Sequence, residues 1–166
     1  MQKITPCLWF DHQADEAAEF STAIFRISKI VTIARYGEAG HEVHGKPAGT
    51  VMAVVFELEA QTMTALIGGP MFKINEAVSF QIHCQTQADV GYYWERLSAG
   101  GDEQAQQCGW LKDKFDVSWQ VVPNVLPEMI SDPDAAKSGR AMKAMLQMTK
   151  IDIDALKRAF SGEGVA

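Results

Sequence analysis

The apolar positions of this chain change their spacing several times, and each change marks an element. Residues 4–10, ITPCLWF, form a short apolar run of the length of a buried strand. Asp11–Phe25 then takes helical spacing, with Ala14, Ala17, Ala18, Phe20, Ile24 and Phe25 on most of one face. Residues 28–36, SKIVTIARY, are rich in β-branched side chains and predict a strand. The segment GEAGHEVHGKPAGT that follows is rich in glycine and predicts an exposed loop. Residues 51–59, VMAVVFELE, and 62–68, TMTALIG, predict two strands with a short turn at Ala60-Gln61. The first half therefore reads β-α-β-β-β.

The second half begins the same order again. VSFQIHC (78–84) predicts a strand, and Asp89–Ala99 a helix with Val90, Tyr93, Trp94 and Leu97 on one face. Gly100-Gly101 ends that helix. Residues 106–112 and 116–122 predict strands around a turn at Asp113. This gives β-α-β-β, one strand short near Asp102–Ala105. Gln13-Ala14-Asp15 and Gln87-Ala88-Asp89 both open the helix after the first strand, and their offset sets Leu8 against Ile82 and Phe20 against Trp94. From Asn124 the pattern is helical. Asp132-Pro133 predicts a helix start, AMKAMLQM an apolar face, and Asp152 the cap of a last helix with Ile151 and Leu156 as its staple. The ending SGEGVA is expected to fray. The tail, methionines included, reads as a packing or association element. The boundaries are one domain over 1–166, with a first module at 1–70, a second at 77–123 and a helical tail at 124–166.

Composition narrows the functional classes. An apolar share of 47% and a charged share of 22% describe a soluble globular chain with a core. A net charge of -6 leaves no basic excess to neutralise phosphates, so no nucleic-acid partner is expected. No apolar run nears the ~18 residues of a membrane span, and the start MQKITPCLWF lacks the marks of a secretory leader. Cys7, Cys84 and Cys108 are odd in number and far apart, which fits reduced thiols in a cytoplasm.

The paired modules and the motif GWLKDKFDVSWQVVP (109–123) resemble the PhnB-like branch of the glyoxalase/bleomycin-resistance/dioxygenase, or vicinal oxygen chelate, superfamily. Further pieces of the resemblance are TPCLWFDHQADEAAEFSTAIF, LIGGPMFKINEAVSF, the GG after the second helix, and KIDIDALKRAF. Part of that branch carries the description 3-demethylubiquinone-9 3-methyltransferase domain. The resemblance implies an α+β fold: two βαβββ modules forming an open, incomplete β-barrel around a cavity, plus C-terminal helices. It also implies metal ligands, in the metal-dependent members, on the first and last strands of each module. Gln120 falls where such relatives place their last metal-binding glutamate. The matching first-strand positions are Thr5 and Ser79, and the fourth falls near Ala65 or Leu66. None is His, Glu or Asp, so neither metal nor cofactor is expected.

Alternation extends this face from Thr5 through Cys7 and Trp9, from Ser79 through Gln81 and His83, and from Gln120 to Ser118 and Val122. Leu8, Phe10, Phe80, Ile82 and Cys84 then point toward the helices. Each polar candidate has a structural alternative. His83 suits proton transfer near neutral pH or metal binding, and suits equally a hydrogen-bonded strand end. Cys7 is a nucleophile only where a neighbour lowers its pKa, and otherwise a small buried thiol. Trp9 can stack on a flat ligand or pack in a core. His41 and His44 lie in an unhelical context and read as loop residues, while Asp113 and Asp116 shape their turn. Three functions stay open: a metal-free enzyme acting on a small organic molecule, a protein that sequesters a drug or metabolite as bleomycin-resistance relatives do, or a methyltransferase. The last lacks the Gly-rich strand-to-helix turn and following acidic residue of nucleoside-cofactor sites. A homodimer and a small-molecule ligand are the expected partners.

Overall fold

A computed structural model describes residues 3–163 and divides into two units, Met1–Ile74 and Asn75–Ala166. The first contains β1 (Cys7–Phe10), α1 (Ala14–Ile24), β2 (Ser28–Arg35), α2 (His41–His44), β3 (Val51–Leu58) and β4 (Gln61–Ile67). Its sheet has the order β1-β4-β3-β2, with β1 parallel to β4 and the other pairs antiparallel. Alternation decides which side is core. Val54, Phe56, Leu58, Met63, Ala65 and Ile67 are buried, and α1 packs on β3 and β4 through Ala14, Ala17, Ala18 and Ile24. Small residues on the helix let it approach closely, and burial of each large sheet residue contributes roughly 1.5–3 kcal/mol. The intervening Ala53, Val55, Thr62, Thr64 and Leu66 remain half-buried on the opposite side.

Three local readings need correction in this unit. Thr5 lies before β1 rather than within it, and is exposed. The β3–β4 turn is at Glu59-Ala60, one residue earlier than read; both have positive φ, 47° and 66°, the backbone twist that a two-residue hairpin needs. His41–His44 forms a single helical turn because Gly40 and Gly45, at φ 79° and 64°, supply left-handed ends on both sides.

The second unit contains β5 (Phe80–Cys84), α3 (Gln87–Ser98), β6 (Trp110–Lys112), β7 (Ser118–Pro123), α4 (Val125–Ile130), α5 (Ala135–Met145) and α6 (Ile153–Ser161). Its sheet has the order β5-β7-β6, with β7 central, parallel to β5 and antiparallel to β6. The strand missing from the sequence pattern is replaced by a 3-10 turn at Glu103–Ala105, started by Asp102 accepting from Gln104 N at 2.9 Å. The strand read at 106–112 is cut to three residues by a tight turn. Cys108 and Gly109 take φ of 52° and 85°, and Gln107 pairs back onto Trp110. α3 starts earlier than its apolar spacing indicated, because Thr86 and Asp89 form a reciprocal capping box.

Asp113 organises the β6–β7 hairpin. It is buried, and its carboxylate accepts from Phe115 N at 2.8 Å, Val117 N at 3.1 Å and Trp119 Nε1 at 2.8 Å. The tail belongs to this unit. Cys108 N donates to Met148 O and Gly109 N to Thr149 O, both at 2.8 Å. Gln87 clamps the entry to α6, donating to Ile151 O at 3.0 Å and accepting from Ile153 N at 2.8 Å. Ile151 and Leu156 share a buried cluster with Leu126, and Asp152 caps α6 as read. The cap of α5 is Asp134, not Asp132. Of the ending expected to fray, residues 164–166 lie outside the described residues.

Candidate functional site

The central strand β7 carries the glutamine that a fully apolar strand would not contain. Its neighbours Trp119, Val121 and Pro123 are buried, and α3 packs against this strand. Gln120 and Val122 are half-buried, so they occupy the sheet's more open side. The register sets Gln120 directly beside Gln81 of β5 and opposite Trp110 of β6, which puts the three side chains on one face. Gln120 Nε2 donates to Ser79 Oγ at 2.7 Å, and Gln81 Nε2 donates to Gln120 Oε1 at 3.2 Å. A row of two amides and a hydroxyl thus crosses the strands. Gln120 is neither orphaned nor in the core, and both ends of its amide are engaged by exposed or half-exposed partners.

His83 lies farther along the same face, beside Val122, and is exposed. Ser118 shares the face but not the exposure. It is 1% exposed, and its Oγ has no hydrogen-bond partner among the described residues. Opposite it is Lys112, whose Nζ lies 3.1 Å from Glu76 Oε1 and 3.4 Å from Asp116 Oδ1. The hydrogen bond from Lys112 lowers the pKa of Glu76, and the same bond raises that of Lys112. Trp110 also lines an open hollow of about 400 Å³ with Gln104, Ala105, Gln107 and Cys108.

Trp110, Lys112 and Glu76 were missed by sequence reasoning. The first two were within reach of it. Counting outward from the Asp113 turn in an antiparallel hairpin pairs Lys112 with Ser118 and Trp110 with Gln120. Glu76 reaches the face only through the turn that precedes β5, which no periodicity describes.

In the first unit, Cys7 and Trp9 lie on β1 opposite Thr64 and Leu66. Cys7 is an exposed free thiol, contrary to a buried one. Trp9 is held in place: its Nε1 donates to Gly69 O at 2.8 Å, its ring meets Phe72 edge-on at 5.0 Å, and Gly68 lies beneath it with no room for a side chain. The register also identifies the fourth family position. Gln81 pairs with Gln120 as Cys7 pairs with Thr64, so Thr64 is the counterpart of Gln120. Ala65 faces the helix and is fully buried, and Leu66 is two residues too far along.

By the family resemblance the corresponding positions are Thr5 and Thr64 in one module and Ser79 and Gln120 in the other. Neither pair supplies the carboxylate, imidazole or thiolate donors that hold a transition metal, and the Gln120 amide is already bonded at both ends. His41 and His44 do not fit one either. His44 Nδ1 accepts from Lys46 N at 3.0 Å, its Nε2 lies 3.3 Å from Ala39 O, and its ring rests on Tyr36 with centroids 4.4 Å apart. Cys84 is inert, its thiol pushed up to about 11 by burial.

Two αβ modules with mixed sheets, each with its first strand parallel to its last, define the vicinal oxygen chelate class of fold. A family model described as 3-demethylubiquinone-9 3-methyltransferase matches residues 2–122, and the chain belongs to this family, within the glyoxalase superfamily. The PhnB protein of Bacillus cereus is 32% identical, with a TM-score of 0.63, and the match covers 74% of this chain and 99% of that one. A Pseudomonas aeruginosa protein at 18% identity and TM-score 0.58 shares the fold over 74% of this chain and 98% of its own. So does the fosfomycin resistance protein FosX of Listeria monocytogenes, at 13% identity and TM-score 0.51, over 76% and 94%. No match was found among curated proteins.

Proposed function

We propose that this protein binds a small organic molecule on the open face of β5, β7 and β6, without the metal used by metal-dependent members of its superfamily. The observation that supports this reading is the Ser79–Gln120–Gln81 row, a directed set of polar groups on the central strands with solvent on one side. Polar groups there stay hydrated until a ligand replaces the water, so they need no buried partners. Gln81, Gln120 and His83 contact the ligand, Ser79 orients the central amide, and Ser118 backs the row. In the first unit, Thr5, Cys7 and Trp9 belong to the equivalent face, with Trp9 as a fixed wall. Sequestration of a drug or metabolite needs only such a face. An enzymatic role would fall to His83 as the proton-transfer group.

The methyltransferase description is less well supported by the residues. The junctions that lead into α1 and α3, Asp11-His12-Gln13 and Gln85-Thr86, carry no glycine, and the glycine-bearing junction after β2 leads only into the single turn of α2, so neither long helix opens on a phosphate-approaching turn. No helix among the described residues is long and apolar enough to cross a membrane. We place the protein in the cytoplasm, where Cys7, Cys84 and Cys108 stay reduced, and as a homodimer, because exposed Met142 and Leu146 on the helical tail give a second copy apolar surface to cover.

The deciding experiment is a small-molecule thermal-shift screen, with hits titrated calorimetrically against wild type and Gln120→Leu and elemental analysis alongside. Ligand affinity should fall roughly tenfold or more in the variant, for one lost direct hydrogen bond. Stoichiometric Zn, Ni, Mn or Fe, lost on Gln120→Leu, would overturn the metal-free reading. Stabilisation by S-adenosylmethionine would restore the methyltransferase.

A further inference from the structure

Hydrogen-bond donors remain to be used on the face around Gln120. Gln120 gives one amide hydrogen to Ser79 and has another to offer; Gln81 gives one to Gln120 and has another. Ser79 accepts its bond and keeps its own hydroxyl proton for donation. One rung toward the turn lies Ser118, 1% exposed and with its Oγ unpaired. Its register partner Lys112 brings an ammonium to the same rung, on a side chain only 15% exposed. A lysine ammonium on a face that still offers amide and hydroxyl hydrogens favours an incoming oxygen acceptor.

The chain already supplies one such acceptor. Glu76 holds Lys112 at 3.1 Å from a turn fixed by Asn75 Oδ1, which accepts from Ala77 N at 2.9 Å. The Glu76 side chain is 58% exposed, and that of Asp116, the second carboxylate on Lys112, is 73% exposed. Ion pairs with partners this exposed are weak and easily exchanged. Trp110, in register with Gln120, offers an aromatic surface for the body of a molecule whose charged end reaches Lys112.

We infer that the ligand is an organic oxyanion, whose carboxylate or phosphoryl group takes the place of Glu76 on Lys112 while its body lies along Gln120 and Trp110. This rests on the ligand-binding reading above and adds the charge of the ligand to it. Glu76 then acts as an internal competitor that keeps Lys112 neutralised in the free protein.

The test compares benzoate and phenylphosphonate with benzamide, an uncharged analogue of benzoate, by calorimetric titration at constant ionic strength. Wild type should bind the anions in preference to benzamide, and the preferred anion identifies the headgroup. Glu76→Gln should tighten anion binding roughly two- to fivefold and leave benzamide unchanged. Lys112→Met, which keeps the aliphatic stem, should abolish the preference; if that variant fails to fold, Glu76→Gln decides alone. Equal binding of benzoate and benzamide in wild type and Glu76→Gln would overturn the inference. So would absence of anion binding in both. In either case, Gln120-dependent binding of neutral compounds would leave the ligand face standing, and its absence would remove both readings.

Discussion

Asp113 is the residue whose removal should most clearly separate structure from function. Asp113→Ala takes away the acceptor of three buried donors, Phe115 N, Val117 N and Trp119 Nε1. Each hydrogen bond contributes about 1 kcal/mol net, and somewhat more when charge-assisted, so the gross loss is about 3–5 kcal/mol. Relief of the buried carboxyl offsets part of it. The expected net destabilisation is about 2–4 kcal/mol, a large share of a small domain's stability. Urea unfolding would read it as a lower midpoint at unchanged slope. Asp113→Asn keeps one oxygen for the two backbone donors and should cost less. In a Trp119→Phe background its effect should shrink further, since the third donor is gone.

The pH dependence carries a sign. Burial raises the Asp113 pKa above its ordinary 3.8 despite the hydrogen bonds that lower it. The folded state therefore binds more protons than the unfolded one between 3.8 and the raised value. This group's contribution to stability is greatest below that window and falls as the pH rises through it. The stability gap between wild type and Asp113→Ala should narrow over the same range. A loss under ~1 kcal/mol for Asp113→Ala, or a gap that widens with pH, would refute the assignment of Asp113 as the hairpin's anchor.

Gln120→Leu should cost under ~1 kcal/mol, because Ser79 and Gln81 can return to water; a larger loss in urea unfolding would make Gln120 a structural amide. Gly68→Ala should destabilise by roughly 1–3 kcal/mol, since the added Cβ overlaps the Trp9 ring, and should shift the Trp9 indole N–H signal in NMR. Light scattering at micromolar concentration should give twice the mass of one chain, and a monomer mass would remove the dimer.

The order of elements was legible because the period of apolar residues differs between strand and helix. Alternation along β7 singled out Gln120 before any coordinate, and Asp152 signalled the last helix by its own side chain. Errors gathered where backbone conformation rather than burial decides. The Glu59-Ala60 and Cys108-Gly109 turns place residues other than glycine at positive φ, and α2 forms between two left-handed glycines. The candidate site shows the same division. The sequence alone determined that Gln120 stands amid the apolar positions of 119–123, and the family resemblance that Thr5, Ser79 and Gln120 stand where relatives place metal ligands. Only the tertiary structure decided that Gln120 is bonded to Ser79 and Gln81, that Thr64 is its counterpart, and that Ser118 is buried opposite Lys112 while Glu76 reaches that lysine from another segment. The reason is physical. Periodicity reports which side of its own strand a residue occupies, whereas a neighbour across the sheet is set by register, and register is fixed by turns and hydrogen bonds between segments far apart in the chain.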